Sequence, residues 1–311
     1  MNPSFYHRPL SLDNALALLA QERCAVLAGG TDFYPARVGR PVTGAVLDIT
    51  ALTELRGIAQ QADGGWRIGT LTTWSDLVRT KGVTPGFGAM AHADLFAGLI
   101  AAAREIGGVQ IQNQGTVGGN LCNASPAADG VPVLMAMDAS VELRSDQGIR
   151  SLSLEYFVQG NRRTALRSDE LLTAITIPPF SALGLTRFSK LGQRRYLVIS
   201  IAMLAIALDF DENQRLQRCG IAVGSCAAVA RRLPLLEARL LSTARAELGA
   251  RMAELLSTDG PPDSADEPPA SGDSWLAVLA PIDDVRGTAV YRRQAVREML
   301  RRIFDGVADE G

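Results

Sequence analysis

Two stretches of the chain combine residue types and spacing that point to chemistry: "LAGGTDFYP" at residues 27–35 and "QGTVGGNLCNASPAAD" at 114–129. Both are rich in glycine and small hydroxyl or amide side chains and nearly devoid of charge. Backbone N–H groups can converge where side chains are this small. Consecutive N–H groups in a glycine turn, or at the start of a helix, bind phosphate without any lysine. Two such nests, each facing part of a diphosphate, would grip a dinucleotide. Thr31, Thr116 and Ser125 add hydroxyl donors and Asn120 an amide. Asp129, the lone carboxylate beside the second stretch, suits a ribose hydroxyl or an adenine amino group, since both are donors. A Gly-Gly pair alone is usually just a turn, but so long a run of small uncharged polar residues is hard to explain as packing.

Other constellations have little to build from. No G-x-G-x-x-G follows a strand and no Walker A pattern occurs, so neither the ordinary dinucleotide fingerprint nor a P-loop is present. His7 and His92 are the only histidines; each reads as a surface or satisfied histidine rather than a metal ligand or triad member. Cys24, Cys122, Cys219 and Cys226 match no zinc or iron–sulfur run and read as reduced thiols of a cytoplasmic protein, with Cys122 a small buried one. With no acid–base machinery of its own, the chain must take its chemistry from a cofactor.

The elements that position these stretches follow from the pattern around them. At 311 residues, 47% hydrophobic and 21% charged, the chain has the balance of a globular protein with two domains or one bilobed unit. A net charge of −2 gives no electrostatic footprint for nucleic acid or a membrane surface. The N-terminus lacks the continuous apolar region of a signal peptide, and the longest apolar run, Tyr196 to Leu208, is too short to span a bilayer. "SLDNALALLAQ" reads as a helix capped by Ser11, "CAVLAGG" as a short buried strand, and "GAVLDI" as its parallel partner across a β-α-β connection. "ADGG" marks a hairpin. Helices follow on both sides of the glycine-rich stretch, then strands at "SVELRS" and "ELLTAITIP", the latter stopped by Pro178 and Pro179. Beyond residue 180 three extended segments form an antiparallel meander, followed by helices. "STDGPPDSADEPPASGDS" reads as a mobile surface loop without a motif. The pattern as a whole is α+β.

"LAGGTDFYP" and "NQGTVGGNLCNASPAADGVPVLMAMDA" closely resemble the two FAD-binding loops of the medium, flavin-carrying subunit of molybdenum hydroxylases, the family of xanthine dehydrogenase and carbon monoxide dehydrogenase. The likeness extends to "IGTLTTWSDL", "ELLTAITIP", "LTRFSKLGQRRY" and the closing "PIDDVRGTAVYRRQAVREMLRRI". It implies a bilobed FAD-binding domain of the vanillyl-alcohol-oxidase type over residues 1–179, with lobes at 1–55 and 56–179. A smaller domain with a three-stranded antiparallel sheet and helices would occupy 180–311. The implied role is to carry electrons from a molybdenum cofactor, through [2Fe–2S] clusters on partner subunits, to FAD and then to NAD, oxygen or another acceptor. The implied partners are a large molybdenum-cofactor subunit and a small iron–sulfur subunit.

Matched motif by motif, the resemblance puts Ala28, Gly29, Gly30, Thr31 and Asp32 in the first diphosphate loop, and Thr116, Gly118, Gly119 and Asn120 in the second. It implies Asp129 on the ribose–adenine side and Leu172 and Lys190 near the isoalloxazine, where a lysine favours the anionic reduced form; a salt-bridged structural lysine is the competing reading. Tyr196 would cover one ring face and govern access of the acceptor, or simply pack. Some relatives carry an extra [4Fe–4S] cluster after "GGNLC"; here no cysteine follows Cys122 until Cys219, so that cluster is expected to be missing. Arg286, Arg292, Arg293, Arg297, Arg301 and Arg302 read as a solvated face or as a docking surface for an acidic partner patch. Two other functions fit the same loops: a stand-alone flavin oxidoreductase, and a nucleotide-binding or scaffold protein without flavin.

Overall fold

A computed structural model of the chain describes residues 5–40, 42–79, 94–258 and 275–310. His92 and the acidic, proline-rich segment at 259–273 lie outside the described residues. Near the N-terminus the Ser11 hydroxyl, on extended backbone, accepts from Asn14 N–H at 3.4 Å and starts helix α1 (Leu12–Gln21). Its buried stripe of Leu12, Ala15, Leu16 and Leu19 covers a parallel sheet of β1 (Tyr6–His7), β3 (Ala45–Asp48) and β2 (Cys24–Leu27), in that order. The central β3 is buried throughout. The expectation of a buried strand at residues 24–27 needs correction: β2 is the sheet edge, with only Leu27 buried and Val26 36% exposed. The described part of the β2–β3 connection holds a single 3-10 turn, Pro35–Arg37, instead of the expected helix.

A five-stranded antiparallel sheet follows, ordered β4 (Ile58–Gln60), β5 (Trp66–Gly69), β10 (Leu171–Ile177), β6 (Ser140–Ser145) and β7 (Gly148–Ser153). The β4–β5 turn is built as expected, with Gly64 at φ +87°. Among the described residues between β5 and β6 run five helices: α2 (Trp74–Arg79), α3 (Ala97–Glu105), α4 (Val109–Gln114), α5 (Val117–Asn123) and α6 (Gly130–Ala136). The glycine-rich stretch at 114–129 is therefore built around one short helix, α5, between the end of α4 and the start of α6. Thr116 is the N-cap of α5, its hydroxyl accepting from Gly119 N–H at 3.0 Å, and α5 stops at Ala124 in the left-handed region. Glycine inside a helix costs about 1 kcal/mol relative to alanine. Close packing explains it at Gly118, where a Cβ would fall 1.7 Å from the Thr70 hydroxyl oxygen. After β7 come α7 (Leu154–Phe157) and the short ribbon β8 (Val158–Gly160) and β9 (Arg163–Thr164).

The C-terminal sheet has four strands rather than the expected three: β11 (Leu185–Leu191), β12 (Ala202–Phe210), β13 (Leu216–Gly224) and the two-residue β14 (Arg231–Arg232). So short a strand leaves no alternating pattern to read. Alternation along β12 and β13 divides the sheet into two unlike faces. Ala205, Ala207 and Ala222 join the core formed by α3, α6 and the five-stranded sheet. Leu204, Ile206, Leu208, Ile221 and Val223 join a second core under α8 (Pro234–Leu240), α9 (Leu248–Thr258) and α10 (Ala289–Asp309). The small-residue face brings α6 close: a Cβ on Gly220 would fall 2.0 Å from the Ala136 carbonyl oxygen.

The arginines read from sequence as a solvated face or a docking surface divide into buried or half-buried members engaged within the chain and exposed ones paired along α10. Arg292 is buried, donating to the Ile201 and Ser225 carbonyls and to Asp284, which also pairs with Arg286; Arg297 donates to the Leu256 carbonyl. Arg301 and Arg302 both hold Glu298. His7 is satisfied by Glu22 at 2.7 Å.

Candidate functional site

The two glycine turns, some ninety residues apart in sequence, meet in space. Gly29 packs so tightly on the second turn that a Cβ would fall 1.8 Å from the Gln114 carbonyl oxygen, and one on Gly115 would fall 3.6 Å from the Thr31 hydroxyl. The chain leaving β5 stitches them together: Thr70 and Thr72 carbonyls accept from Gly118 and Val117 N–H at 3.0 and 2.9 Å, and Trp74 N–H donates to the Gly115 carbonyl at 3.1 Å. Where they meet, a cleft of about 560 Å³ opens. Ala28, Gly29, Gly30, Thr31 and Asp32 line it from one side, Thr116, Gly118, Gly119 and Asn120 from the other, with Leu172 on a wall shared with Leu171, Leu166, Ile106 and Ile111.

The two turns differ in what they offer a ligand. In α5, the first-turn N–H groups are consumed internally, Val117 and Gly118 by the threonine carbonyls and Gly119 by the Thr116 hydroxyl. That corrects the expectation of two equal nests. The carbonyls of residues 70 and 72 have left the sheet and need donors when buried, and α5 supplies them. In the first turn, by contrast, Gly30 takes φ +75° and its carbonyl accepts from Tyr34 N–H, the Asp32 carbonyl from Ala36 N–H. The N–H groups of Thr31, Asp32 and Phe33 have no hydrogen-bond acceptor among the described residues, as at the open N-terminus of a helix. Asn120 Oδ1 is buried and also has no partner among the described residues.

Sequence reasoning passed over the cationic residues of the cleft. Arg37 and Arg162 both line it, and neither forms an ion pair with a described residue. Arg37 lies over the Phe33 ring at 3.7 Å and donates to the Phe33 carbonyl at 2.7 Å. The signal was available: an arginine five residues beyond a Gly-Gly-Thr-Asp turn returns to that turn's own surface. Cys122 was expected to be buried; it is exposed on the cleft wall. Desolvation pushes its thiol up to about 12.

Asp129, Lys190, Ser125 and Tyr196 are not part of the lining. Asp129 precedes α6 and is buried, its carboxylate accepting from Lys190 Nζ at 2.9 Å and from the Ser200 hydroxyl at 2.8 Å. Burial pushes the Asp129 carboxyl above its ordinary value, against the opposing pull of Lys190 and Ser200. Lys190 Nζ also donates to the Glu105 carbonyl at 3.3 Å, next to Ile106 of the cleft wall. The Ser125 hydroxyl accepts from Ala127 N–H at 3.2 Å within its own turn. Tyr196 is 56% exposed, with Arg195 5.2 Å from its ring, and the adjoining Leu197 is held at φ +51° by Arg194 bonding to both carbonyls.

Comparison with known proteins places this geometry in context. Residues 2–180 match the sequence model described as the FAD binding domain in molybdopterin dehydrogenase. The chain is 36% identical over 176 residues to the xanthine dehydrogenase FAD-binding subunit of Escherichia coli O157:H7, a match spanning 56% of this chain and 57% of that one. It is 27% identical over 305 residues to the carbon monoxide dehydrogenase medium chain of Hydrogenophaga pseudoflava, covering 96% and 95% of the two chains. In structure it superposes on a chain of a Cu,Mo-CO dehydrogenase with a TM-score of 0.81 at 25% identity, covering all of both. No described helix is long and apolar enough to cross a membrane.

Proposed function

Given that this chain belongs to the family of FAD-binding medium subunits of molybdopterin dehydrogenases, we propose that it is the electron-transfer subunit of a heteromeric molybdenum hydroxylase. In this reading its partners are a large subunit with the molybdenum cofactor and a small subunit with [2Fe–2S] clusters. Electrons reach FAD here and leave to NAD, oxygen or another acceptor. Residues 1–179 act as the bilobed, vanillyl-alcohol-oxidase-type FAD-binding domain and 180–311 as the smaller domain closing against it.

The observation that carries the reading is the meeting of the two glycine turns at a cleft whose free N–H groups, at residues 31–33, all come from one side. Such donors suit an anion. The unpartnered Asn120 Oδ1 suits a ligand N–H or hydroxyl, and the apolar wall of Ile106, Ile111, Leu171 and Leu172 suits a flat ring. FAD would supply the redox chemistry. The chain's residues bind and orient it and hold water off the ring. Lys190 stands behind Ile106, fixed by Asp129 and the Glu105 carbonyl, the salt-bridged arrangement that competes with a direct place at the ring.

The test is purification of the chain with the products of neighbouring genes, followed by visible spectroscopy. Flavin absorption in this chain and co-elution with a molybdenum-bearing and an iron–sulfur chain are expected. A yellow protein active alone would replace the reading with a stand-alone flavin oxidoreductase. A protein colourless even after addition of FAD would replace it with a scaffold.

A further inference from the structure

We infer that Arg37 is the phosphate-binding cation of the cleft, pairing with the diphosphate of the dinucleotide from the same turn that offers its free N–H groups. The inference rests on the reading of the cleft as an FAD site. A diphosphate brings two negative charges into a concave wall, and the second glycine turn has already spent its first-turn N–H groups on Thr70, Thr72 and Thr116. Compensation must come from elsewhere. Among the described residues, three charged side chains line the cleft, Asp32, Arg37 and Arg162. Asp32 lies on the turn with the free N–H groups and would repel a phosphate there, so that turn is anion-binding only if a cation accompanies it.

Arg37 is placed to be that cation. The Phe33 ring beneath its guanidinium and the Phe33 carbonyl accepting from Nη1 hold it over the turn. Neither contact is with a carboxylate, and Arg37 forms no ion pair among the described residues, so its positive charge is available to a ligand. One Nη1 bond leaves Nε and Nη2 as a fork whose geometry matches two phosphate oxygens. Arg162 shares the lack of an ion-pair partner among the described residues but not the placement: it is exposed, stands beside the C-terminal end of α5, and its side chain makes one long contact of 3.5 Å to Asn123 Oδ1.

The experiment titrates flavin-free full-length chain with FAD and, separately, with riboflavin, which lacks the diphosphate, following flavin fluorescence. Arg37→Ala is expected to weaken FAD binding roughly 10- to 100-fold, the range of a charged hydrogen bond, while riboflavin binding stays unchanged. Arg37→Lys restores part of the loss by returning the charge without the fork. Arg37→Gln, which keeps the stem and polar head, repeats the comparison if the alanine variant fails to fold. Equal weakening of FAD and riboflavin, an unchanged FAD affinity in Arg37→Ala, or the diphosphate-dependent loss appearing in Arg162→Ala instead would overturn the assignment. A wild-type chain that binds neither flavin would remove the FAD reading itself, a result distinct from any of these.

Discussion

At the scale of single residues, the cleft depends on atoms that are absent. Gly29 is required by a backbone oxygen of the opposite turn, which cannot swing aside as a side chain would. We predict that Gly29→Ala drives the Gln114 carbonyl away and separates the turns, costing about 1–3 kcal/mol of stability as overpacking does. FAD affinity should fall at least about tenfold, more than that loss of stability alone explains. Chemical denaturation and flavin titration of the same variant measure both; an alanine variant with wild-type FAD affinity would show that the turns need not touch. The Gly-Gly-Thr signature was plain in the sequence. Arg37 was not, because its importance comes from the lack of a carboxylate neighbour, and only coordinates reveal which neighbours a side chain lacks.

At the scale of elements, the wall of the cleft leans on an ion pair that joins β7 to the turn before β10. Arg150 holds Glu170 through bonds of 2.6 and 2.8 Å, and Glu170 also accepts from Arg167 N–H at 2.9 Å; Glu170 is 4% exposed. Leu171 and Leu172 of the cleft follow directly. The Arg150 guanidinium holds the Glu170 carboxyl below its ordinary value. A carboxyl so lowered contributes stability that is complete above the unfolded value, near 4.5, and is lost as pH falls through the lower folded value. Glu170→Gln should therefore cost about 1–2 kcal/mol at neutral pH and flatten the loss of stability below about pH 4.5. Denaturation midpoints across pH 3–7 check it, and parallel curves for variant and wild type would discard the pair as a contributor. The capped helix α1 and the "ADGG" hairpin were legible because their signals are local. The short helix α5 was not: glycine and asparagine oppose helix locally, and Thr116 together with packing on Thr70 overrides them.

At the scale of the whole molecule, the C-terminal sheet is clamped between two cores and one buried polar cluster crosses the boundary. Asp129 precedes α6, Lys190 lies on β11 and Ser200 just before β12. Removing the cation would leave a buried carboxylate with a hydroxyl alone. Lys190→Met should cost about 3–5 kcal/mol, and adding Asp129→Asn should recover a large part, because the penalty belongs to the orphaned charge. Urea unfolding of the two variants decides it; a single variant as stable as wild type would make the pair dispensable to the fold. Val26 belongs to this scale too. A strand rich in apolar residues reads as buried, yet β2 became an edge because β3 took the centre between β1 and β2.

The amino-acid order alone determined what depends on neighbours in sequence: helix starts and turns, the two small-residue stretches, and the family likeness. Tertiary structure alone decided which backbone donors stay free, because Thr70 and Thr72 reach α5 from almost fifty residues away and take its N–H groups. It also decided that Asp129 and Lys190 face each other and that Arg37 finds no ion-pair partner among the described residues. Hydrogen-bond and charge satisfaction are sums over every group within reach, and reach in space is the quantity that sequence separation does not contain.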